Sequence, residues 1–386
     1  MHISRLQAEN LKKELAQSNK VLILYGARQV GKTTLVREVL RSYPGKTLEI
    51  NADALPFLDA LSSRNLDQLK GLVQGYDLLF IDEAQRVPDI GINLKILHDQ
   101  LPTLKIIATG SSSLDLANRA KEPLTGRTWT FQLFPISVEE WVAHSGANDA
   151  ETRIKLDEWL TFGFYPEVLA IENREKKARY LQELTQAYLY KDILTLANVR
   201  YPEKLRQLLK LLAWQIGQLV SVNELAKALQ ISRDAVLNYL DLLEKAFVIF
   251  RLGGFSRNLR KEMTKMDKIY FYDLGVRNAL IDNFSLPDGR PDTGAIWENF
   301  LLSERLKAAN YHFRSANRYF WRIQTGAEID LVEETGGQLF GFEFKWGQKT
   351  ATAPAAWGQA YPGARFSCIN RENFMGFVRG ETNRED

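Results

Sequence analysis

Residues 26–33 combine two glycines, a lysine and a threonine at a spacing suited to binding phosphate groups. They read G-A-R-Q-V-G-K-T, match the pattern G-x-x-x-x-G-K-[ST], and lie between a strand-like apolar run and a helical pattern. Glycines let backbone N–H groups turn inward around phosphates, aided by the positive end of the following helix. We predict that Lys32 neutralises the β- and γ-phosphates of a nucleotide and that Thr33 ligates Mg²⁺. The predicted nucleotide-binding loop comprises Gly26, Ala27, Arg28, Gln29, Val30, Gly31, Lys32, Thr33 and Thr34.

Two acidic residues, Asp82 and Glu83, follow the apolar run 78–81. Such a run is typical of a buried parallel strand, and ligands bind at the carboxyl edge of a parallel sheet. We predict that Asp82 holds Mg²⁺ through water. Glu83 is placed to orient or deprotonate the attacking water.

A third apolar run, 105–108, also ends in hydroxyl side chains. Thr109 and Ser111 are placed to sense the γ-phosphate, although Gly-Ser-Ser is also ordinary turn chemistry.

A second set of charged residues lies near the C-terminus. Glu343 and Lys345 are two residues apart on a predicted strand and share a face, and Asp330 on the paired strand can reach the same place. Glu298, on a predicted amphipathic helix over 293–309, can reach it as well. The same alternation of charged and apolar residues is found on any half-exposed hairpin, which Gly336-Gly337 favours.

The elements that must position these residues follow from periodicity. The front of the chain alternates strands and helices, which indicates a doubly wound parallel sheet. Residues 150–200 have helical spacing of apolar residues. Residues 219–255 read as two helices, each with a serine N-cap, followed by a β-rich segment, which predicts a winged helix-turn-helix.

The sequence is compatible with two roles for this winged helix, DNA binding and protein binding. In DNA-binding versions the N-terminal residues of the second helix, here Arg233, Asp234 and Asn238, approach base edges. The helix has mixed charge, so protein contacts are an equal alternative. A basic run follows, and either a phosphate-contacting loop or a solvated linker explains it. The run carries Arg257, Arg260, Lys261, Lys265 and Lys268.

Composition limits the class of protein. The chain has 386 residues, 45% apolar and 25% charged, with net charge +3 and a single cysteine, Cys368. Its length predicts several domains, and its one cysteine excludes a disulfide framework or a Cys-based zinc site within the chain. No apolar run approaches the ~20 residues that span a bilayer. The first twenty residues are polar, without a signal-peptide segment, so we expect a cytoplasmic protein with no membrane association.

These motifs together resemble the bacterial and archaeal AAA+ ATPases that carry a C-terminal DUF4143 domain. The resemblance rests on the segments "GARQVGKTTL", "LLFIDEAQ", "TGSSS", "LTGRTWTFQLFPIS", "GFYPEV" and "YLYKDIL". It implies binding and hydrolysis of ATP with Mg²⁺, a helical lid and a homo-oligomer. It also implies that Arg127 is an arginine finger completing a neighbour's site; a solvated arginine is equally compatible, and Arg119 is a rival.

The C-terminal set is similar to the PD-(D/E)XK nuclease superfamily. This resemblance implies that Asp330 and Glu343 ligate Mg²⁺ with support from Glu298, and that Lys345 positions or activates water.

We therefore expect an α/β fold of four parts. These are a P-loop AAA+ ATPase core with a parallel sheet (1–148), a helical lid (149–203), a winged helix (204–255) and an α/β restriction-endonuclease-like DUF4143 domain (256–386). The predicted function is MgATP hydrolysis coupled to binding or remodelling of branched or single-stranded DNA. The alternatives are a nucleotide-dependent protein-interaction switch of a toxin–antitoxin or defence system with an inactive nuclease fold, and an ATP-regulated, metal-dependent DNA nuclease.

Overall fold

The computed structural model describes residues 3–54, 57–111, 124–197, 201–256, 266–323 and 326–381. The chain forms two compact units. One holds residues 2–135 with 245–247, and the other holds 136–244 with 248–386.

The first unit alternates helices and strands along the chain. Its elements are α1 (Leu6–Gln17), β1 (Val21–Tyr25), α2 (Lys32–Arg41), β2 (Thr47–Asn51), α3 (Leu58–Leu61), α4 (Leu66–Val73), β3 (Leu78–Asp82), α5 (Ile90–Gln100), β4 (Lys105–Gly110) and β5 (Thr128–Gln132). The strands are parallel, in the order β2-β3-β4-β1-β5. The predicted parallel sheet is confirmed. Because β4 lies between β1 and β3, its carboxyl end is flanked by the nucleotide-binding loop and by Asp82.

The second unit begins with helices and continues as a mixed α/β region. Its elements are α6 (Val138–Ser145), α7 (Asp149–Phe162), α8 (Pro166–Ala170), α9 (Arg174–Ala197), α10 (Pro202–Trp214), β6 (Leu219–Val220), α11 (Val222–Leu229), α12 (Arg233–Lys245), β7 (Ile249–Gly254), β8 (Asp267–Phe271), α13 (Leu274–Leu280), α14 (Thr293–Tyr311), β9 (Asn317–Arg322), β10 (Glu328–Thr335), β11 (Gln338–Phe344), α15 (Ala355–Ala360), β12 (Arg365–Ile369) and α16 (Phe374–Val378). Side chains cap several of these helices. Ser137 and Asn148 form capping boxes, and Ser221 accepts a hydrogen bond from the Glu224 N–H at 3.3 Å.

One seven-stranded sheet runs through this unit in the order β12-β11-β10-β9-β7-β8-β6. β10 and β11 form the hairpin expected at the Gly-Gly turn, with Thr335 paired to Gln338. β7 pairs with β9 in parallel and with β8 in antiparallel orientation. The sheet is therefore continuous across position 255, where the sequence suggested a border. The four-part division stays a prediction.

The basic run after β7 falls largely outside the part of the chain that the structure describes. Arg257, Arg260, Lys261 and Lys265 lie there. Lys268 is different, because it is 3% exposed within β8. A solvated linker and a phosphate-contacting loop are both wrong for this residue, because its charge is directed to internal carboxylates.

Helix α14 is fixed against the sheet by the side chain of Asn299. Its amide accepts from the Phe271 N–H at 2.7 Å and donates to the Phe271 carbonyl at 2.8 Å. A buried amide that satisfies both backbone groups of one strand residue sets the register of helix on strand. The preceding residue, Glu298, consequently lies beside Lys268 and Tyr270 of β8.

Candidate functional site

The nucleotide-binding loop leaves β1 through a close approach of two backbone segments. A Cβ placed on Gly26 would lie 2.1 Å from the carbonyl oxygen of Leu133, so no larger residue fits. Leu133 in turn donates its N–H to the Tyr25 carbonyl at 2.7 Å. At the other end of the loop, Gly31 has φ +96° and precedes α2, a left-handed conformation that favours glycine.

Lys32 is folded over this loop. Its side chain is buried, and Nζ donates to the carbonyl oxygens of Gly26 and Ala27 at 3.0 and 2.9 Å. The ammonium group is therefore held within the turn of the loop. Both acceptors are neutral, and a charged acceptor would form a stronger bond with the same donor.

Asp82 connects three elements of the sheet edge. Its Oδ2 accepts a hydrogen bond from Thr33 Oγ1 at 2.7 Å, and its Oδ1 accepts one from Thr109 Oγ1. Thr33 lies in the first turn of α2, Asp82 ends β3 and Thr109 lies on β4. Hydroxyl and carboxylate oxygens are the ligands that Mg²⁺ prefers.

The backbone changes direction at Glu83, which follows the last residue of β3 and has φ 53°. Its carboxylate accepts a hydrogen bond from the amide of Gln85, which also donates to Ser111 Oγ at 3.1 Å. Ser111 thus lies with the Glu83–Gln85 pair, whereas Thr109 lies with Asp82. Sequence reasoning missed Gln85, which the short 3₁₀ turn Ala84–Arg86 places beside Glu83.

Sequence reasoning also missed Arg5, at the start of α1. Arg5 is buried and donates from Nη1 to the carbonyl of Val30 at 2.7 Å and from Nη2 to the carbonyl of Phe134 at 2.6 Å. Val30 belongs to the nucleotide-binding loop. A lone arginine in a polar helical stretch carries no local signal for this role.

Arg127 lies at the amino ends of the parallel strands, whereas the loop lies at their carboxyl ends. Its carbonyl accepts the N–H of Val21, the first residue of β1, whereas the loop follows the last residue of that strand. Its Nε forms an ion pair with Asp99 at 2.7 Å. Hydrogen bonds from Arg127 and His98 lower the pKa of Asp99 to about 2. A catalytic role for Arg127 therefore requires the nucleotide of another copy. Its rival, Arg119, lies outside the described residues.

The C-terminal charges form a second group, here termed the acidic cluster and defined as Glu298, Glu328, Asp330 and Glu343. Within it, Asp330 accepts the Phe344 N–H at 2.7 Å, and Glu343 accepts Lys345 Nζ at 2.6 Å. Burial raises the pKa of Asp330 well above its ordinary value, and the charges of Glu298 and Glu343 raise it further. The structure therefore brings three predicted ligands into one electrostatic environment.

Two residues of β8 complete this environment. Lys268 Nζ contacts Glu298 at 3.0 Å and Glu328 at 2.5 Å, and Tyr270 donates its hydroxyl to Glu298. Burial raises the pKa of Glu298, against the opposing effects of Lys268 and Tyr270. Among the described residues, no three His, Cys, Asp or Glu side chains lie close enough together to hold a metal ion.

Three known domain families match successive parts of the chain. An AAA domain matches residues 18–142, a domain of unknown function (DUF8612) matches 153–286, and a second one (DUF4143) matches 293–357. An uncharacterized protein of Mycobacterium tuberculosis is 35% identical over 331 residues, which cover 84% of this chain and 70% of that protein. The chain belongs to the AAA-domain ATPases with a C-terminal DUF4143 domain.

Other similar proteins are more distant. An uncharacterized protein of Methanocaldococcus jannaschii is 26% identical to this ATPase over 335 residues, 81% of this chain and 72% of that one. The solved structure of a Walker-type ATPase of Pyrococcus abyssi has 18% identity and a TM-score of 0.49, covering 71% of this chain and 94% of its own.

Family membership makes this protein a nucleotide-binding ATPase. No helix within the described residues of the ATPase is both long enough and apolar enough to cross a membrane.

Proposed function

We propose that this ATPase binds MgATP at the edge formed by its nucleotide-binding loop, β3 and β4, and hydrolyses it with Glu83 as the general base. The observation that carries the proposal is the Asp82 carboxylate, which accepts hydrogen bonds from Thr33 and Thr109. One carboxylate thereby joins the loop hydroxyl to the strand that lies between the two motifs. This arrangement suits a cation held next to a γ-phosphate.

Each residue has a separate task in this proposal. Lys32 would exchange its two neutral carbonyl acceptors for the β- and γ-phosphates, because bonds to charged oxygens are stronger. The oxygens of Thr33 and Asp82 would hold Mg²⁺, which neutralises developing charge on the phosphates. Gln85 orients the Glu83 carboxylate toward an attacking water, and Thr109 with Ser111 would sense the γ-phosphate.

Two substitutions separate binding from turnover. Lys32→Ala is expected to abolish binding of a fluorescent ATP analogue. Glu83→Gln is expected to retain binding and to lower the rate of phosphate release by about 10²–10⁴-fold, the usual contribution of a general base. Lys70→Ala and Asp67→Asn, on the exposed side of α4, are the matched controls. Phosphate release in Glu83→Gln equal to that of the unaltered chain would refute the assignment.

The partner proposed for this activity is branched or single-stranded DNA, bound by a winged helix made of β6, α11, α12, β7 and β8. The supporting observation is that three side chains in the N-terminal half of α12 are exposed to solvent. They are Arg233, Asp234 and Asn238. The opposite face, with Val236 and Leu240, is buried. A homo-oligomer is part of the same proposal, because Arg127 is remote from its own loop. A protein partner on the exposed face of α12 is the alternative outcome.

A further inference from the structure

The acidic cluster contains a fixed positive charge. Lys268 is buried in β8, and its ammonium group contacts Glu298 at 3.0 Å and Glu328 at 2.5 Å. The ammonium group therefore lies between two carboxylates of the cluster.

One oxygen each of Glu298, Asp330 and Glu343 accepts a hydrogen bond from the chain itself. One oxygen of Glu298, Oε1, accepts from both Lys268 and Tyr270. Asp330 Oδ2 accepts from a backbone N–H at 2.7 Å, and Glu343 Oε1 accepts from Lys345 at 2.6 Å. Mg²⁺ requires oxygen ligands at about 2.0–2.1 Å in near-ideal octahedral geometry. In this arrangement no three acidic side chains of the described residues lie close enough together to meet that requirement.

A divalent ion on Glu298 would also be repelled by Lys268. An ammonium that shares an oxygen with the ion would lie only a few ångströms from it. Like charges at such a short separation repel strongly in a partly buried site, where water screens them less.

We propose that the Lys268 ammonium takes the place of a metal as the cation of the acidic cluster, so that the cluster binds no divalent metal. Lys268 forms ion pairs with both Glu298 and Glu328 from a strand that belongs to the same sheet. The predicted metal ligands Glu298, Asp330 and Glu343 are then structural carboxylates, and Lys345 is the partner of Glu343. This inference is independent of the ATP site, which lies in the other unit.

The first test is direct uptake of Mn²⁺ by the full-length, nucleotide-free chain, followed by electron paramagnetic resonance of the free ion. Asp330→Asn and Glu298→Gln are expected to take up as much Mn²⁺ as the unaltered chain. If the unaltered chain binds a Mn²⁺ that both variants lose, the proposal is overturned.

The second test removes the internal cation. Lys268→Met keeps most of the side-chain volume and is expected to lower Tm by roughly 5 °C, because buried carboxylates lose their partner. Addition of Mn²⁺ should raise the Tm of this variant but not that of the unaltered chain. Lys349→Met, at an exposed lysine, should have no effect.

A double variant keeps this test interpretable if Lys268→Met does not fold. Lys268→Met/Glu298→Gln removes one of the two carboxylate charges that the single change deprives of Lys268, so it should fold and be more stable than Lys268→Met. A wild-type Tm for Lys268→Met, or a double variant no more stable than the single one, would contradict the proposed role of Lys268.

Discussion

Arg5 donates a hydrogen bond from Nη1 to the carbonyl oxygen of Val30 at 2.7 Å, across 25 residues of sequence. The bond ties the start of α1 to the nucleotide-binding loop. The same guanidinium also holds the carbonyl of Phe134. The loop is thus braced by a residue outside the matched AAA domain, which begins at residue 18.

Replacement of Arg5 should loosen the loop. A hydrogen bond from a charged group contributes about 1.5–3 kcal/mol, so Arg5→Met is expected to raise the KM for ATP by roughly tenfold or more, with a smaller change in kcat. Arg41→Met, at an exposed arginine that ends α2, is the matched control. Steady-state kinetics measure the KM for ATP. A KM of Arg5→Met equal to that of the unaltered chain would contradict this role.

The parts of the fold that could be predicted depend on local patterns. The loop at 26–33 and the buried strand before Asp82 are both defined by short runs of residue types, and the parallel sheet follows from their alternation with helices. The hairpin at Gly336-Gly337 is equally local.

What could not be predicted depends on pairing between distant residues. The Arg5 guanidinium reaches Phe134, 129 positions away, and nothing in the polar segment around Arg5 marks it as buried. Lys268 ends a run of basic residues that suggests a solvated linker, yet its partner Glu298 is 30 positions away. The Lys268–Glu298 contact appears only when β8 and α14 pack together, and the Arg5–Phe134 contact only when the start of α1 packs beside the segment after β5.

Arg127 provides a test of assembly. If it completes the site of a neighbouring copy, Arg127→Ala is expected to bind ATP normally and to lose most of its turnover, since arginine fingers contribute about 10³–10⁵-fold. Lys32→Ala retains Arg127 but lacks a working loop. An equimolar mixture of the two inactive variants should therefore regain part of the activity.

The ion pair with Asp99 supplies a control for this experiment. Asp99→Asn releases Arg127 from its partner but leaves its charge, so this variant should stay active. Full turnover in Arg127→Ala alone, or a mixture as inactive as its components, would argue against a finger at this position.

We expect DNA to bind at the exposed N-terminal end of α12. Arg233→Ala and Asn238→Ala are expected to weaken binding of single-stranded or branched DNA by about 1–3 kcal/mol each, and to reduce any stimulation of ATP turnover by that DNA. Lys227→Ala, on the exposed face of α11, is the matched control. Fluorescence anisotropy at low salt measures the effect. A chain that binds no DNA under these conditions would favour a protein partner.

Asp292 makes the stability of the second unit depend on pH. It accepts hydrogen bonds from Arg277 at 2.6 Å and from Arg290 at 2.8 Å. Burial alone would raise the pKa of Asp292, but the two arginines outweigh it and lower the pKa from 3.8 to about 2. Because the folded-state pKa is depressed, this stabilisation is complete above about pH 4 and is lost as the pH falls through 2.

Asp292→Asn should therefore cost about 2 kcal/mol of unfolding free energy at neutral pH. The difference between this variant and the unaltered chain should shrink as the pH falls from 4 to 2, and urea unfolding at each pH measures it. A difference that does not change with pH would mean that packing, rather than ionisation, accounts for the loss.

The pairing of β7 with β9 affects how this part of the protein can be divided. Gly253 and Gly254 pair with Tyr319 and Phe320, so a strand outside the matched DUF4143 segment and a strand inside it share one set of backbone hydrogen bonds. A fragment cut near position 255 would separate β7 from both of its neighbours, β8 and β9, and would leave β9 with an unpaired edge. Such edges promote aggregation. Residues 219–369 should accordingly be expressed as one continuous segment. We expect the same segment to be exchanged between relatives, and to be retained in evolution, as one unit.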